Sequence, residues 1–126
     1  MKPTTELLRK INPHFLQDGR VSCQAFRPAP NDQCALPVYD GDQIDPSGAY
    51  GHFTEKSKVQ SSGIQAVTVD ECAKRGLHAR PATGSFPECA LIDFSGLQKR
   101  QVEAEAKQLR AWAEARGWRY RAEVGS

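Results

Sequence analysis

Asp32, Asp40, Asp42 and Asp45 crowd one short stretch of the chain, and His52 and Glu55 follow three residues apart. On a helix that spacing puts the imidazole and the carboxylate on one face, so the group could offer oxygen and nitrogen ligands to a divalent cation. A site built from Asp40, Asp42, His52 and Glu55 would suit a metal-dependent hydrolase or nuclease. The same residues have structural uses. Asp40-Gly41-Asp42 is what a tight turn needs, and Asp45 before Pro46 is a helix cap followed by proline at the first helical position. The run Asp40 to Asp45 also lacks the ligand spacing and terminal glutamate of an EF-hand loop. The structural uses outweigh the catalytic one, and the expectation is no catalytic residue, no bound metal and no cofactor.

Cys23, Cys34, Cys72 and Cys89 are separated by ten, thirty-seven and sixteen residues. Structural zinc sites draw their ligands from close pairs, and no such pair exists here. A cysteine nucleophile needs a neighbouring base and an electropositive pocket, neither of which the sequence displays. No glycine-rich phosphate cradle and no G-x-S-x-G elbow is present, which removes most nucleotide-dependent and serine-hydrolase chemistry.

What remains is basic. From Gln98 to the end, seven Lys and Arg face four Glu, whereas the whole chain of 126 residues carries only +2. Trp118 and Tyr120 alternate with Arg119 and Arg121, and a strand there buries the aromatics while turning both arginines to solvent. Arg110 on the preceding helix could join them, and His78 and Arg80 stand together in a separate irregular stretch. These five, Arg110, Arg119, Arg121, His78 and Arg80, are the candidate partner-binding residues. Guanidinium forks recognise carboxylates, so the partner they suit is a protein with an acidic surface. A net charge this small gives nucleic-acid binding through the basic C-terminal helix and strand only third place.

Elements must position these groups. Thr4 or Thr5 caps a short helix through Ile11, Arg20 to Phe26 reads as a strand, and Ala35 to Tyr39 is an edge strand because of Pro37. A helix follows over about 46 to 57. Ile64 to Val69 and Ala90 to Phe94 are the two strong strands, set side by side and parallel at the centre of the sheet. Thr68 to Glu71 forms a capping box for a short helix, and His78 to Pro87 is an irregular loop. Ser95 to Gln98 forms a second capping box that opens a helix to Arg116, with Val102, Leu109 and Ala113 inward, and a final strand covers 118 to 122. The fold class is therefore α+β: one compact domain over residues 1–124, with a mixed β-sheet of about four to five strands and helices packed on it. Gly125-Ser126 could be a cloning remnant.

With Cys23-Gln24-Ala25-Phe26-Arg27-Pro28, Val38-Tyr39-Asp40-Gly41-Asp42, His52-Phe53-Thr54, Ala66-Val67-Thr68-Val69-Asp70-Glu71-Cys72 and Ala90-Leu91-Ile92-Asp93-Phe94-Ser95 set out, the chain resembles small bacterial or phage proteins of unassigned function. The resemblance spans most of the chain. It implies a bacterial or phage origin and brings no catalytic residues. No window is apolar for long enough to cross a membrane, and the first ten residues lack the apolar core of a signal peptide, so the expected location is the cytoplasm with reduced thiols. The function expected is a small protein-interaction module of the accessory, immunity, antitoxin or inhibitor type, acting by binding and not by chemistry.

Overall fold

The computed structural model describes residues 1–18, 20–28, 34–51, 62–82 and 86–121. Among these residues, eight strands and three α-helices follow in order: β1 (Glu6–Ile11), β2 (Leu16–Gln17), β3 (Arg20–Val21), β4 (Ala35–Asp40), α1 (Pro46–Gly51), β5 (Gly63–Thr68), α2 (Val69–Lys74), β6 (His78–Pro81), β7 (Cys89–Asp93), α3 (Lys99–Arg116) and β8 (Tyr120–Arg121). Short 3-10 turns occupy Pro13–Phe15 and Cys23–Phe26. Six strands form one sheet in the order β6-β7-β4-β1-β5-β8, and β2 pairs with β3 in a separate ribbon. Every pairing among the described strands is antiparallel.

Both faces of this sheet are apolar at its centre. On one, Leu7, Ile11, Leu36, Val38, Val67, Ala90 and Ile92 pack with Ala25, Phe26 and Cys72 and with Ala106, Leu109 and Ala113 of α3. On the other, Leu8, Tyr39, Ile64 and Ala66 meet Ala49 of α1, with Ile44, Tyr50 and Tyr120 at the margin. A strand covered on both sides shows an apolar run and not an alternation. That is why Leu7, Leu8 and Ile11, read as helical, belong to β1 at the heart of the sheet. Thr5 caps no helix; its hydroxyl donates to Asp42 Oδ2 at 2.5 Å and accepts from Lys2 N at 2.9 Å.

The α+β class holds, in a sheet that is larger than expected and wholly antiparallel. The two strong strands, β5 and β7, share the sheet but are not adjacent, because β1 and β4 lie between them and reverse their relative direction. Pro37 does not send β4 to an edge. The Pro37 carbonyl accepts from Arg9 Nη1 at 2.8 Å. An extended residue points its N–H and C=O to the same side, so the missing donor faces Arg9 on the β1 side and leaves the five-residue ladder to β7 intact. Arg9 itself is 7% exposed and also donates through Nε to Ala25 O at 2.7 Å.

Of the Arg20 to Phe26 strand only Arg20–Val21 is extended, since the Ser22 hydroxyl accepts from Gln24 N at 3.2 Å and starts a 3-10 turn. His78 to Pro81, read as loop, is an edge strand, where a proline is tolerated. The Thr68–Glu71 capping box forms in both directions, at 3.1 Å and 2.9 Å. For α3 the reciprocal pair is Gln98 with Gln101 and not Ser95 with Gln98. The final strand begins at Tyr120 and not at Trp118, and the expected continuation of α1 past Gly51, and of β8 to Ala122, lies outside the described residues.

Candidate functional site

The 3-10 turn carrying Ala25 and Phe26, both fully buried, packs on α3 and brings the β2–β3 ribbon alongside that helix. Lys107 and Arg110, three residues apart, share the helix side facing the ribbon. Between them opens a cleft of about 490 Å³ lined by Gln17, Asp18, Arg20, Val21, Ser22, Cys23, Lys107 and Arg110. Arg110 is fixed from behind, its Nε donating to Val21 O at 2.8 Å. Its Nη2 lies 3.1 Å from Glu114 Oε2, and Arg20 Nη2 lies 3.0 Å from Glu114 Oε1. The Glu114 carboxyl is held below the usual carboxylate range, first by its hydrogen bonds from Arg20 and then by the Arg110 charge. Among the described residues Asp18 is the single carboxylate in the lining, and Lys107 has no ionic partner.

Arg110 is thus the one nominated binding residue in this cleft. Arg119 and Arg121 lie elsewhere. Arg119 pairs with Glu6 at 2.8 Å on a smaller cleft of about 290 Å³ shared with Asp42 and Asp45. Arg121 lies over the Trp118 ring at 4.4 Å. His78 and Arg80 sit on β6, at the edge of the sheet opposite β8. Five strand spacings, roughly 24 Å, divide the two groups. Trp118 packs on the α3 side of the sheet and Tyr120 on the α1 side, so the two aromatics do not share one buried face and Arg119 and Arg121 stand apart. The five nominated residues therefore form four separate places and not one patch. On β6, His78 is in register with Asp93 of β7. The Asp93 carboxyl is held low chiefly by hydrogen bonds from Ser95, whose N–H lies at 2.8 Å, with smaller help from Arg80 and His78.

The acidic stretch adopts the structural roles its sequence suggests. Asp40 Oδ1 accepts from Asp42 N at 2.8 Å, Asp42 Oδ2 accepts from Thr5, and Asp45 Oδ1 accepts from Gly48 N at 2.7 Å. Asp32, His52 and Glu55 lie outside the described residues. Among the described residues no three His, Cys, Asp or Glu side chains converge as a metal site would need. All four cysteines are free thiols. Burial pushes the Cys72 thiol up to about 12, with Glu71 adding to it.

Sequence reasoning missed Arg20 and underused Lys107. The i, i+3 spacing of Lys107 and Arg110 was a readable signal. The approach of Arg20 was not, because it depends on the 3-10 turn docking on α3. No protein-family model, curated protein or solved structure matches the chain. No described helix is long and apolar enough to cross a membrane.

Proposed function

We propose that this protein works by binding, and that the cleft between the β2–β3 ribbon and α3 takes an acidic segment of a protein partner. One observation carries the reading: Arg20, Lys107 and Arg110 converge on a cleft with a single carboxylate in its lining. A guanidinium fork and a neighbouring ammonium suit side-chain carboxylates, and complementary charge sets partner choice and encounter rate. An accessory, immunity, antitoxin or inhibitor role belongs to the same proposal, as does a bacterial or phage origin. So does a cytoplasmic location, which the four free thiols favour because thiols persist in reducing compartments.

The test is fluorescence anisotropy with a labelled deca-glutamate peptide, set against a deoxythymidine oligonucleotide of equal charge. The peptide is expected to bind better than the oligonucleotide. Lys107→Glu should weaken the peptide about 5- to 30-fold, the 1–2 kcal/mol of an interfacial cation that anchors its partner. Oligonucleotide binding that is tighter, and that survives physiological salt, would overturn the proposal in favour of nucleic acid.

A further inference from the structure

Glu114 stands where a partner's carboxylate would stand. It is not part of the cleft lining, yet its two oxygens take both arginines of the cleft: Oε1 accepts from Arg20 Nη2 at 3.0 Å, and Oε2 accepts from Arg20 Nε at 3.4 Å and faces Arg110 Nη2 at 3.1 Å. This is the bidentate geometry by which guanidinium recognises carboxylate. The three members differ in how firmly they are held. The Arg110 side chain is 24% exposed and fastened to the Val21 carbonyl, whereas Arg20 is 63% and Glu114 43% exposed. Surface ion pairs of that kind are weak and exchange readily with competing ions. Lys107, without an ionic partner among the described residues, is left to make first contact with an incoming anion.

Resting on the reading of the cleft as a binding site for an acidic segment, we infer that Glu114 is an internal competitor: a carboxylate of the partner replaces it on Arg20 and Arg110 when the partner docks. The replacement is a like-for-like exchange, one carboxylate for another on the same two forks. It breaks no covalent bond and releases Glu114 to water. Two consequences follow. The two arginines of the free cleft are protected from small anions, each of which must displace Glu114 to reach them. A partner offering two or more adjacent carboxylates gains over them, because one engages Lys107 while another takes the arginines.

The experiment compares wild type, Glu114→Gln and Glu105→Gln in binding labelled deca-glutamate. Glu105 lies on the same helix but pairs with Arg75 at 2.7 Å, away from the cleft, so its variant removes an equal charge without touching the forks. Glu114→Gln is expected to bind about three- to tenfold tighter than wild type, and Glu105→Gln less than twofold tighter. In wild type, the Arg20 and Arg110 Nε–H resonances should move on adding peptide toward those of the peptide-bound Glu114→Gln variant. Equal strengthening by both variants would overturn the inference as a general charge effect. Wild-type binding that depends on Lys107 but is unchanged in Glu114→Gln would overturn the inference alone. Peptide binding indifferent to Lys107→Glu in every background would overturn the cleft reading itself.

Discussion

Replacing Arg9 by Met tests whether one guanidinium ties the sheet to the turn that builds the cleft. Arg9 leaves the face of β1 that carries α3, donates to Ala25 O at 2.7 Å and to Pro37 O at 2.8 Å, and is 7% exposed. Methionine keeps much of the volume but donates nothing, while both acceptors stay behind. The loss therefore differs from removing a whole buried ion pair, where both members vanish together. The Ala25 carbonyl sits on a fully buried residue, and leaving it unpaired costs about 2–3 kcal/mol. Pro37 is only half-buried, so water can replace part of its bond, and its share is about 0.5–1 kcal/mol. Relief from burying the cation offsets some of this, leaving roughly 2–4 kcal/mol, a large part of the 5–15 kcal/mol typical of a domain. With a urea slope of about 1.5 kcal/mol/M, the midpoint should fall by about 1.3–2.7 M. Arg9→Lys should fall between, since one ammonium does not reproduce the fork. An Arg9→Met midpoint within about 0.3 M of wild type would refute the reasoning.

Three further outcomes are expected. Gly63 has φ +150°, and an added Cβ would run into Tyr120 O and the Arg121 Cα, which are backbone and give little; Gly63→Ala should lift β8 from β5, cost about 1–3 kcal/mol in urea unfolding and red-shift tryptophan emission, and unchanged emission would count against it. Exposed Cys34 should react with an aromatic disulfide reagent in the native state, whereas buried Cys72, its thiol raised to about 12, should react only on unfolding; equal rates would contradict that burial. Asp93 is held below the ordinary 3.8 by Ser95, so its contribution is fully present above about pH 4 and is lost as pH falls through the lowered folded value; Asp93→Asn should flatten the acid limb of melting temperature against pH, and an unchanged limb would remove Asp93 from it.

What the sequence made legible was local. Thr68 with Glu71 announced α2, Asp45 before Pro46 announced α1, and the Val102, Leu109 and Ala113 spacing announced α3, because caps and helical periodicity are written within a few residues. β1 was hidden because Leu7-Leu8 followed by Arg9 alternates with nothing, and only a sheet covered on both faces explains the run. Pro37 misled because its missing N–H faces away from the β7 ladder, while its carbonyl is taken by Arg9, a partner 28 residues away. The candidate site divided in the same manner. Arg110 could be nominated from charge alone, but Arg20 joins it through the docking of Cys23–Phe26 on α3, and the separation of His78 and Arg80 from Arg119 and Arg121 is a matter of strand order that no local pattern encodes.

The most direct measurement is a ¹H–¹⁵N titration of the full chain with deca-glutamate. The account predicts shifts confined to residues 16–23 and to α3 between Glu103 and Glu114, saturating together and moved to about 5- to 30-fold higher peptide concentration by Lys107→Glu. Shifts centred on His78 and Arg80, or on Arg119 and Arg121, or absent at low salt, would contradict it.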